Sequence, residues 1–140
     1  MREEKRENLR ESGWGTRGEA RRSVQLVVVG GGLAGAAVIR NLPSPLRRPG
    51  ATLLIDRNDS YTFAPLIHEV AVGRIHPGSV VSNVSALCRN RCDYLHSEVT
   101  ELSPETRTLT TTSGPVGYER LVLATGSRAA RPPADLVPHL

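Results

Sequence analysis

The sequence has almost no lysine and few aromatic residues. Lys5 is the only lysine, so nearly all of the 18 basic side chains are arginines, and the formal net charge is +4. One Phe, one Trp and three Tyr leave little aromatic surface on which the bases of a single-stranded nucleic acid could stack, and the arginines are scattered. We therefore expect no nucleic-acid partner.

Cysteine and long apolar runs are also scarce. Two cysteines, Cys88 and Cys92, are too few for the disulfide framework of a small secreted domain, and we predict that both are inert thiols. No apolar run approaches the ~20 residues of a membrane-spanning helix. The four histidines lack the spacing of zinc ligands, so no metal site is predicted.

The clearest motif is a glycine turn that follows an apolar segment. Residues 24–29 predict a buried strand, and residues 33–42 predict an alanine-rich helix. Between them, Gly30 lets the chain leave the strand sharply, Gly32 leaves room for a pyrophosphate, and Gly35 lets the helix pack closely. The free N–H groups at the helix N-terminus favour an anion. The motif therefore predicts a dinucleotide site.

Arg21-Arg22-Ser23 precedes this motif and is weakly similar to a twin-arginine export signal. Removal of a signal peptide would also remove the first strand and destroy the glycine motif. We therefore expect a cytoplasmic protein.

A second apolar segment, residues 51–55, ends in an acidic residue. Asp56 follows Gly35 by about 20 residues, the distance at which a carboxylate binds the ribose of a dinucleotide. Such a carboxylate also repels a 2′-phosphate. A cap or turn role for Asp56 is the alternative. Strand, helix and strand together predict a right-handed βαβ unit, and hence an α/β fold.

The rest of the domain is predicted to contain two helices and a meander. Pro65 can open a short helix, and residues 79–88 have the pattern of an amphipathic helix. Three β-branched segments predict an antiparallel meander, and a fourth segment predicts a last buried strand. These four segments are residues 94–102, 108–112, 116–118 and 121–124.

The first part of the chain has a different composition. Residues 1–23 mix arginine, glutamate and glycine with few apolar side chains, so they cannot bury enough surface to offset the entropy of ordering. We predict a disordered charged tail over residues 1–23 and a Rossmann domain over residues 24–140.

Three stretches together resemble the two-dinucleotide-binding-domain flavoproteins of the pyridine nucleotide-disulfide oxidoreductase superfamily. They are Gly30-Gly31-Gly32-Leu33-Ala34-Gly35, the strand end at Asp56, and Ala124-Thr125-Gly126, which is similar to a second signature of that superfamily. A meander between the last two is also typical of it. Within the superfamily, the segment from Asp59 to Gly73 is most similar to type II NADH dehydrogenases, the NADH:quinone oxidoreductases.

The resemblance implies a Rossmann-like FAD-binding domain, with a parallel sheet that carries a β-meander insertion. The implied ligand is FAD, with its pyrophosphate on the glycine turn, its adenosine near Asp56 and its flavin nucleotide near Ala124. The residues that the resemblance assigns to FAD are Gly30, Gly31, Gly32, Leu33, Ala34, Gly35, Asp56, Arg57, Val99, Ala124, Thr125 and Gly126. It identifies no catalytic residue.

The resemblance also implies NADH as the electron donor and a quinone as the acceptor. Full-length members lie at the inner face of the cell membrane, which they contact through a C-terminal region that we expect to be absent here. We expect this chain to be the N-terminal, incomplete part of the FAD-binding domain, inactive by itself because the NADH domain is missing.

Other functions stay open at this point. The chain could belong to another reductase of the superfamily, a sulfide:quinone or ferredoxin-type enzyme, or it could be a nucleotide-binding module without catalysis. A plain NAD-dependent Rossmann dehydrogenase fits least, because neither the meander nor the second signature belongs to that fold.

Overall fold

The computed structural model describes residues 22–127, which contain eight strands and two α-helices. The strands are β1 (Arg22–Val29), β2 (Thr52–Asp56), β3 (Ser60–Thr62), β4 (Val81–Asn83), β5 (Asp93–His96), β6 (Val99–Ser103), β7 (Thr108–Thr111) and β8 (Gly114–Leu123). The helices are α1 (Leu33–Arg40) and α2 (Ile67–Ala71), and single 3-10 turns cover Ala64–Leu66, Pro77–Val80 and Ser85–Cys88. Six strands form one sheet in the order β5-β2-β1-β8-β7-β6, and β3 pairs with β4 in a second sheet.

The parallel half of the large sheet consists of β5, β2, β1 and the second part of β8. Val28 at the centre of β1 lies opposite Leu54 of β2 on one side and Val122 of β8 on the other. Val28 and Leu54 are fully buried, as expected for parallel strands that are covered on both faces. The predicted strand–helix–strand unit and the Rossmann-like α/β fold are therefore confirmed.

Helix α1 connects β1 to β2 and covers one face of the sheet. Ala36 and Ile39 are fully buried, and Ile39 belongs to the core cluster that includes Val28. The helix ends at Arg40, two residues before the predicted end, and Asn41 caps it with a side-chain hydrogen bond to the Ala37 carbonyl (2.8 Å). Pro43 then prevents the helix from continuing.

The predicted meander is present as β6, β7 and β8, which pair antiparallel. Strand β8 is ten residues long, so the two separate strands predicted at residues 116–118 and 121–124 are one strand. Its first part pairs with β7, and from Val116 onward it also pairs in parallel with β1. The meander therefore leads directly to Ala124, beside the end of β1.

The helix predicted over residues 79–88 is wrong. This segment contains a 3-10 turn, the strand β4 and a second 3-10 turn. Pairing of Tyr61 with Ser82 draws the middle of the segment into the small sheet, and the Asn83 side chain accepts hydrogen bonds from the backbone N–H (2.9 Å) and the hydroxyl (2.8 Å) of Ser85. Local side-chain bonds of this kind compete with helix formation.

The single strand predicted over residues 94–102 is divided in two. β5 pairs in parallel with β2, whereas β6 pairs antiparallel with β7, so the chain must turn between them. The turn contains Ser97 and Glu98, and the Ser97 N–H donates to the Asp56 carbonyl (2.9 Å).

The predicted charged tail lies outside the described residues, except for Arg22 and Ser23, which begin β1. Residues 128–140 of the predicted domain also lie outside them. Among residues 22–127, no helix is long and apolar enough to cross a membrane.

Candidate functional site

A cleft of about 950 Å³ lies where the carboxyl ends of β1, β2 and β8 meet. We call this edge of the sheet the carboxyl edge. Ten of the twelve residues that the sequence assigned to FAD line the cleft: Gly30, Gly32, Leu33, Ala34, Asp56, Arg57, Val99, Ala124, Thr125 and Gly126. The other two, Gly31 and Gly35, are buried. Ligands of open α/β sheets bind at this edge.

Two glycines let the turn fit between the strands and the helix. Gly30 has a φ of +103°, and a Cβ there would overlap the carbonyl of Ala124. A Cβ on Gly35 would overlap the carbonyl of Gly30. Because the backbones touch, a side chain at either position would push α1 or β8 away from the turn.

Gly32 has the opposite surroundings. It precedes α1 with an ordinary φ of −69°, and no heavy atom lies within 4 Å of the position that a Cβ would take. No side chain caps the helix, and its first turn contains no acidic residue. The first N–H groups of a helix have no acceptor within it, so this end of α1 presents free donors and a positive dipole to the cleft.

The Asp56 carboxylate is bound to backbone on both sides. Its Oδ2 accepts the Gly31 N–H (2.5 Å), and its Oδ1 accepts the Asn58 N–H (2.7 Å). The cap role that the sequence left open for Asp56 is therefore present. Each carboxylate oxygen has a second lone pair, so Asp56 can also accept a ribose hydroxyl.

A charged pair lies at the rim of the cleft. Nη1 of Arg57 is 3.5 Å from Oε1 of Glu98, and both side chains are about half exposed (50% and 54%). Pairs with this exposure contribute little to stability because water screens them. The Arg57 guanidinium is therefore free to turn towards a ligand at small energetic cost.

Three residues that the sequence did not identify hold the backbone next to Val99. The Thr112 hydroxyl bonds the buried Ser97 hydroxyl (2.8 Å) and accepts the Glu98 N–H (3.2 Å), and the Thr112 N–H donates to the Glu98 carbonyl (2.9 Å). The partners are 14 or 15 residues apart, and no local motif indicates them.

Strand β5 fixes the loop after Asp56. The Tyr94 hydroxyl donates to the Asn58 carbonyl (3.1 Å), Nε2 of His96 lies 2.9 Å from the Arg57 carbonyl, and the two rings stack. Burial, followed by the negative charges of Asp56 and Asp59, raises the pKa of Tyr94 well above its usual range. Tyr94 therefore remains a hydrogen-bond donor at neutral pH.

Neither cysteine lines the cleft, and the same is true of His68, Glu69 and Arg74. Cys88 and Cys92 are buried in the core, where a hydrogen bond from the Cys92 thiol to Cys88 and then burial raise the pKa of Cys92 far above its usual value, as expected of an inert thiol. On and after α2, Glu69 forms an ion pair with Arg74 (3.4 Å) and lies 3.1 Å from Nε2 of His68. Within residues 22–127, no group of three or more His, Cys, Asp or Glu side chains could hold a metal ion.

Comparisons with known proteins find relatives among oxidoreductases. A sulfide-quinone reductase from Aquifex aeolicus is 30% identical over 105 residues, 74% of this chain and 24% of that protein. A type II NADH:quinone oxidoreductase from Staphylococcus aureus is 26% identical over 104 residues, 73% of this chain and 26% of that protein. This chain therefore spans about a quarter of the length of these relatives.

Solved structures have the same fold. The sulfide:quinone oxidoreductase from Aquifex aeolicus superimposes with a TM-score of 0.62 and 27% identity, over 76% of this chain and 25% of that one. A water-forming NADH oxidase from Lactobacillus brevis superimposes with a TM-score of 0.68 and 20% identity, over 79% of this chain and 26% of that one.

The family model described as pyridine nucleotide-disulphide oxidoreductase matches residues 24–138, which is most of the chain. The resemblance deduced from the glycine turn, Asp56 and Ala124-Thr125-Gly126 is thus confirmed. The chain belongs to the pyridine nucleotide-disulphide oxidoreductase family.

Proposed function

We propose that this chain forms the FAD-binding part of an oxidoreductase that passes electrons from NADH through FAD to a quinone. One observation carries the proposal: the glycine turn, Asp56, Val99 and Ala124, which lie far apart in the sequence, line a single cleft. The type II NADH:quinone oxidoreductase among the relatives supports the choice of donor and acceptor.

The residues present fit the pyrophosphate of FAD. The open space at Gly32 admits a phosphate at the N-terminus of α1, where free N–H groups and the helix dipole favour negative charge. When it is bound, FAD supplies the chemistry of hydride and electron transfer. The chain then binds and orients the nucleotide and limits the access of water to it.

We assign the remaining residues of the cleft by their position along it. Asp56 and Arg57 would bind the adenosine, and the backbone of Val99 would contact the adenine side. Ala124, Thr125 and Gly126 would lie against the flavin nucleotide. The carboxylate of Asp56 would repel a 2′-phosphate, so the first site suits FAD and disfavours NADP.

A sulfide:quinone reductase is the second candidate. It is favoured by the 30% identity with the Aquifex aeolicus enzyme. The two candidates differ in the electron donor, and the described cleft contains no cysteine that would favour sulfide. Because we expect this chain to be inactive by itself, a test under anaerobic conditions supplies the remaining part of each relative as a separate polypeptide and compares the loss of flavin absorbance after NADH or sulfide is added, with the FAD-loaded chain alone as the reference. Faster loss with NADH supports the first candidate, and faster loss with sulfide the second.

FAD titration of the protein and of a Gly32→Val variant tests the binding role. The valine would occupy the open space at Gly32, where a Cβ contacts no other residue, so we expect an unchanged thermal unfolding temperature. Because the same space would receive the phosphate, we expect a loss of FAD affinity of about 100-fold or more. Gly78→Val is the matched control, because Gly78 also has an ordinary φ but lies outside the cleft. FAD binding by Gly32→Val with unchanged affinity would contradict the assignment.

A further inference from the structure

Asp56 connects three parts of the carboxyl edge. It ends β2, its Oδ2 holds the Gly31 N–H of the glycine turn at 2.5 Å, and its Oδ1 holds the Asn58 N–H of the following loop at 2.7 Å. Both bonds are internal to the protein and need no ligand. A carboxylate that accepts backbone N–H groups makes hydrogen bonds about twice as strong as neutral ones.

Gly31 is closely packed beside this carboxylate. It is buried, and a Cβ on it would overlap the side chain of Val84, which is itself fully buried. Val84 is fixed in turn by a hydrogen bond from its N–H to the Asp59 carbonyl (2.8 Å). The Gly31 residue is therefore packed against both Val84 and Asp56, next to Gly32, where the phosphate would bind.

We propose that Asp56 is a positioning residue: it holds the glycine turn in the shape that receives a phosphate before any nucleotide is present. This role is additional to a contact with ribose, and it rests on the proposed function only for the identity of the ligand. The side chain of an Asp56→Asn variant offers one neutral oxygen to the two N–H groups and turns its NH2 towards one of them, so at most one weaker bond remains and the turn would relax. The affinity for the phosphate group itself would then fall.

The chain offers a matched control at the opposite edge of the sheet, which we call the amino edge, where β2 and β5 begin. There the Asp93 carboxylate accepts the N–H of Gly50 (2.7 Å), a residue 43 positions away. Asp93 and Gly50 do not line the cleft. Asp56 and Asp93 thus make the same type of bond to a glycine N–H, but only Asp56 adjoins the glycine turn.

The experiment compares Asp56→Asn with Asp93→Asn. The first readout is hydrogen exchange of the Gly31 amide in the ligand-free protein, which we expect to accelerate at least tenfold in Asp56→Asn and to stay unchanged in Asp93→Asn. The second readout is the affinity for inorganic pyrophosphate, ADP and 2′-deoxy-ADP. A positioning role predicts that Asp56→Asn weakens the binding of pyrophosphate and 2′-deoxy-ADP about tenfold and the binding of ADP at least as much, whereas Asp93→Asn changes all three affinities less than twofold.

A contact with ribose alone predicts a different pattern. Asp56→Asn would then weaken the binding of ADP but leave the binding of pyrophosphate and 2′-deoxy-ADP unchanged. The rate of hydrogen exchange at Gly31 would also be unchanged, and this result would overturn the proposal. If the unmodified protein binds neither FAD nor any of the three probes, the proposed function is wrong. The rate of hydrogen exchange at Gly31 still tests the positioning role in that case, because it is measured without a ligand. If Asp56→Asn does not fold, Asp56→Glu replaces it. This variant keeps a charged acceptor, so we expect the Gly31 amide to exchange slowly. Fast exchange of the Gly31 amide in Asp56→Glu would also overturn the proposal.

Discussion

At both ends of β2, a carboxylate accepts the backbone N–H of a distant glycine. At the amino edge the pair is Asp93 and Gly50, and at the carboxyl edge it is Asp56 and Gly31. The surroundings differ. A Cβ on Gly50 would meet no atom within 4 Å, whereas a Cβ on Gly31 would overlap Val84. The same type of hydrogen bond therefore stabilises an exposed loop at the amino edge and a tightly packed turn at the carboxyl edge.

This difference shows what makes the carboxyl edge suitable for a ligand. The backbones of Gly30, Gly35 and Ala124 fill the inner side of the turn, so that the outer side, at Gly32, is left open. At the amino edge the Leu26 N–H donates to the Ala51 carbonyl (3.1 Å), and no residue there lines the cleft. Close packing behind the turn, more than the carboxylate, distinguishes the two edges.

The largest expected effect comes from adding one methyl group behind the turn. Gly35→Ala places a Cβ on the Gly30 carbonyl, and neither backbone can yield, so we expect a loss of about 3 kcal/mol or more in the free energy of unfolding. Gly50→Ala at the amino edge meets only the strain of a positive φ (+80°), which costs about 1–2 kcal/mol. Urea unfolding measures both. Equal losses would contradict the steric account of the turn.

A smaller effect is expected from two threonines with matched roles. Thr112→Val removes the hydroxyl that bonds Ser97 and Glu98 at the carboxyl edge, and Thr52→Val removes the bond to the Leu46 carbonyl (2.8 Å) at the amino edge. Thr52→Val leaves a partly buried carbonyl without its donor and should cost about 1–2 kcal/mol of stability, whereas Thr112→Val, at an exposed residue, should cost about 0.5–1 kcal/mol. Only Thr112→Val should weaken ADP binding, by a few-fold, because it frees the backbone beside Val99. A similar loss of affinity in Thr52→Val would show that general destabilisation, not the edge, is responsible.

Much of the site could be predicted because its parts are contiguous motifs. The glycine turn, the acidic end of β2 and Ala124-Thr125-Gly126 each combine a strand with the residues that directly follow it. The carboxyl ends of parallel strands lie at one edge of the sheet. A correct prediction of the strands is therefore sufficient to predict that these residues lie close together. The contacts of Thr112 with Ser97 and Glu98 follow only from the pairing of β6 with β7, which no local pattern indicates.

The errors in secondary structure have a physical cause as well. Val80, Val84 and Cys88 are all buried and are spaced by four residues, which is the pattern of an amphipathic helix. They are nevertheless buried by different elements: a 3-10 turn, the residue after β4 and a second 3-10 turn. Tertiary contacts produced a helical spacing without a helix.

In β8 the exposed Glu119 and Arg120 interrupt the apolar pattern but not the strand.

The central claim is that the carboxyl edge binds a nucleotide and the amino edge does not. Amide chemical shifts recorded during a titration with FAD test it most directly. We predict saturable changes at Gly30, Gly32, Asp56, Val99 and Gly126, with no change at Gly50 or Asp93. Chemical-shift changes of equal size at both edges, or the absence of saturable changes at the carboxyl edge, would contradict the account.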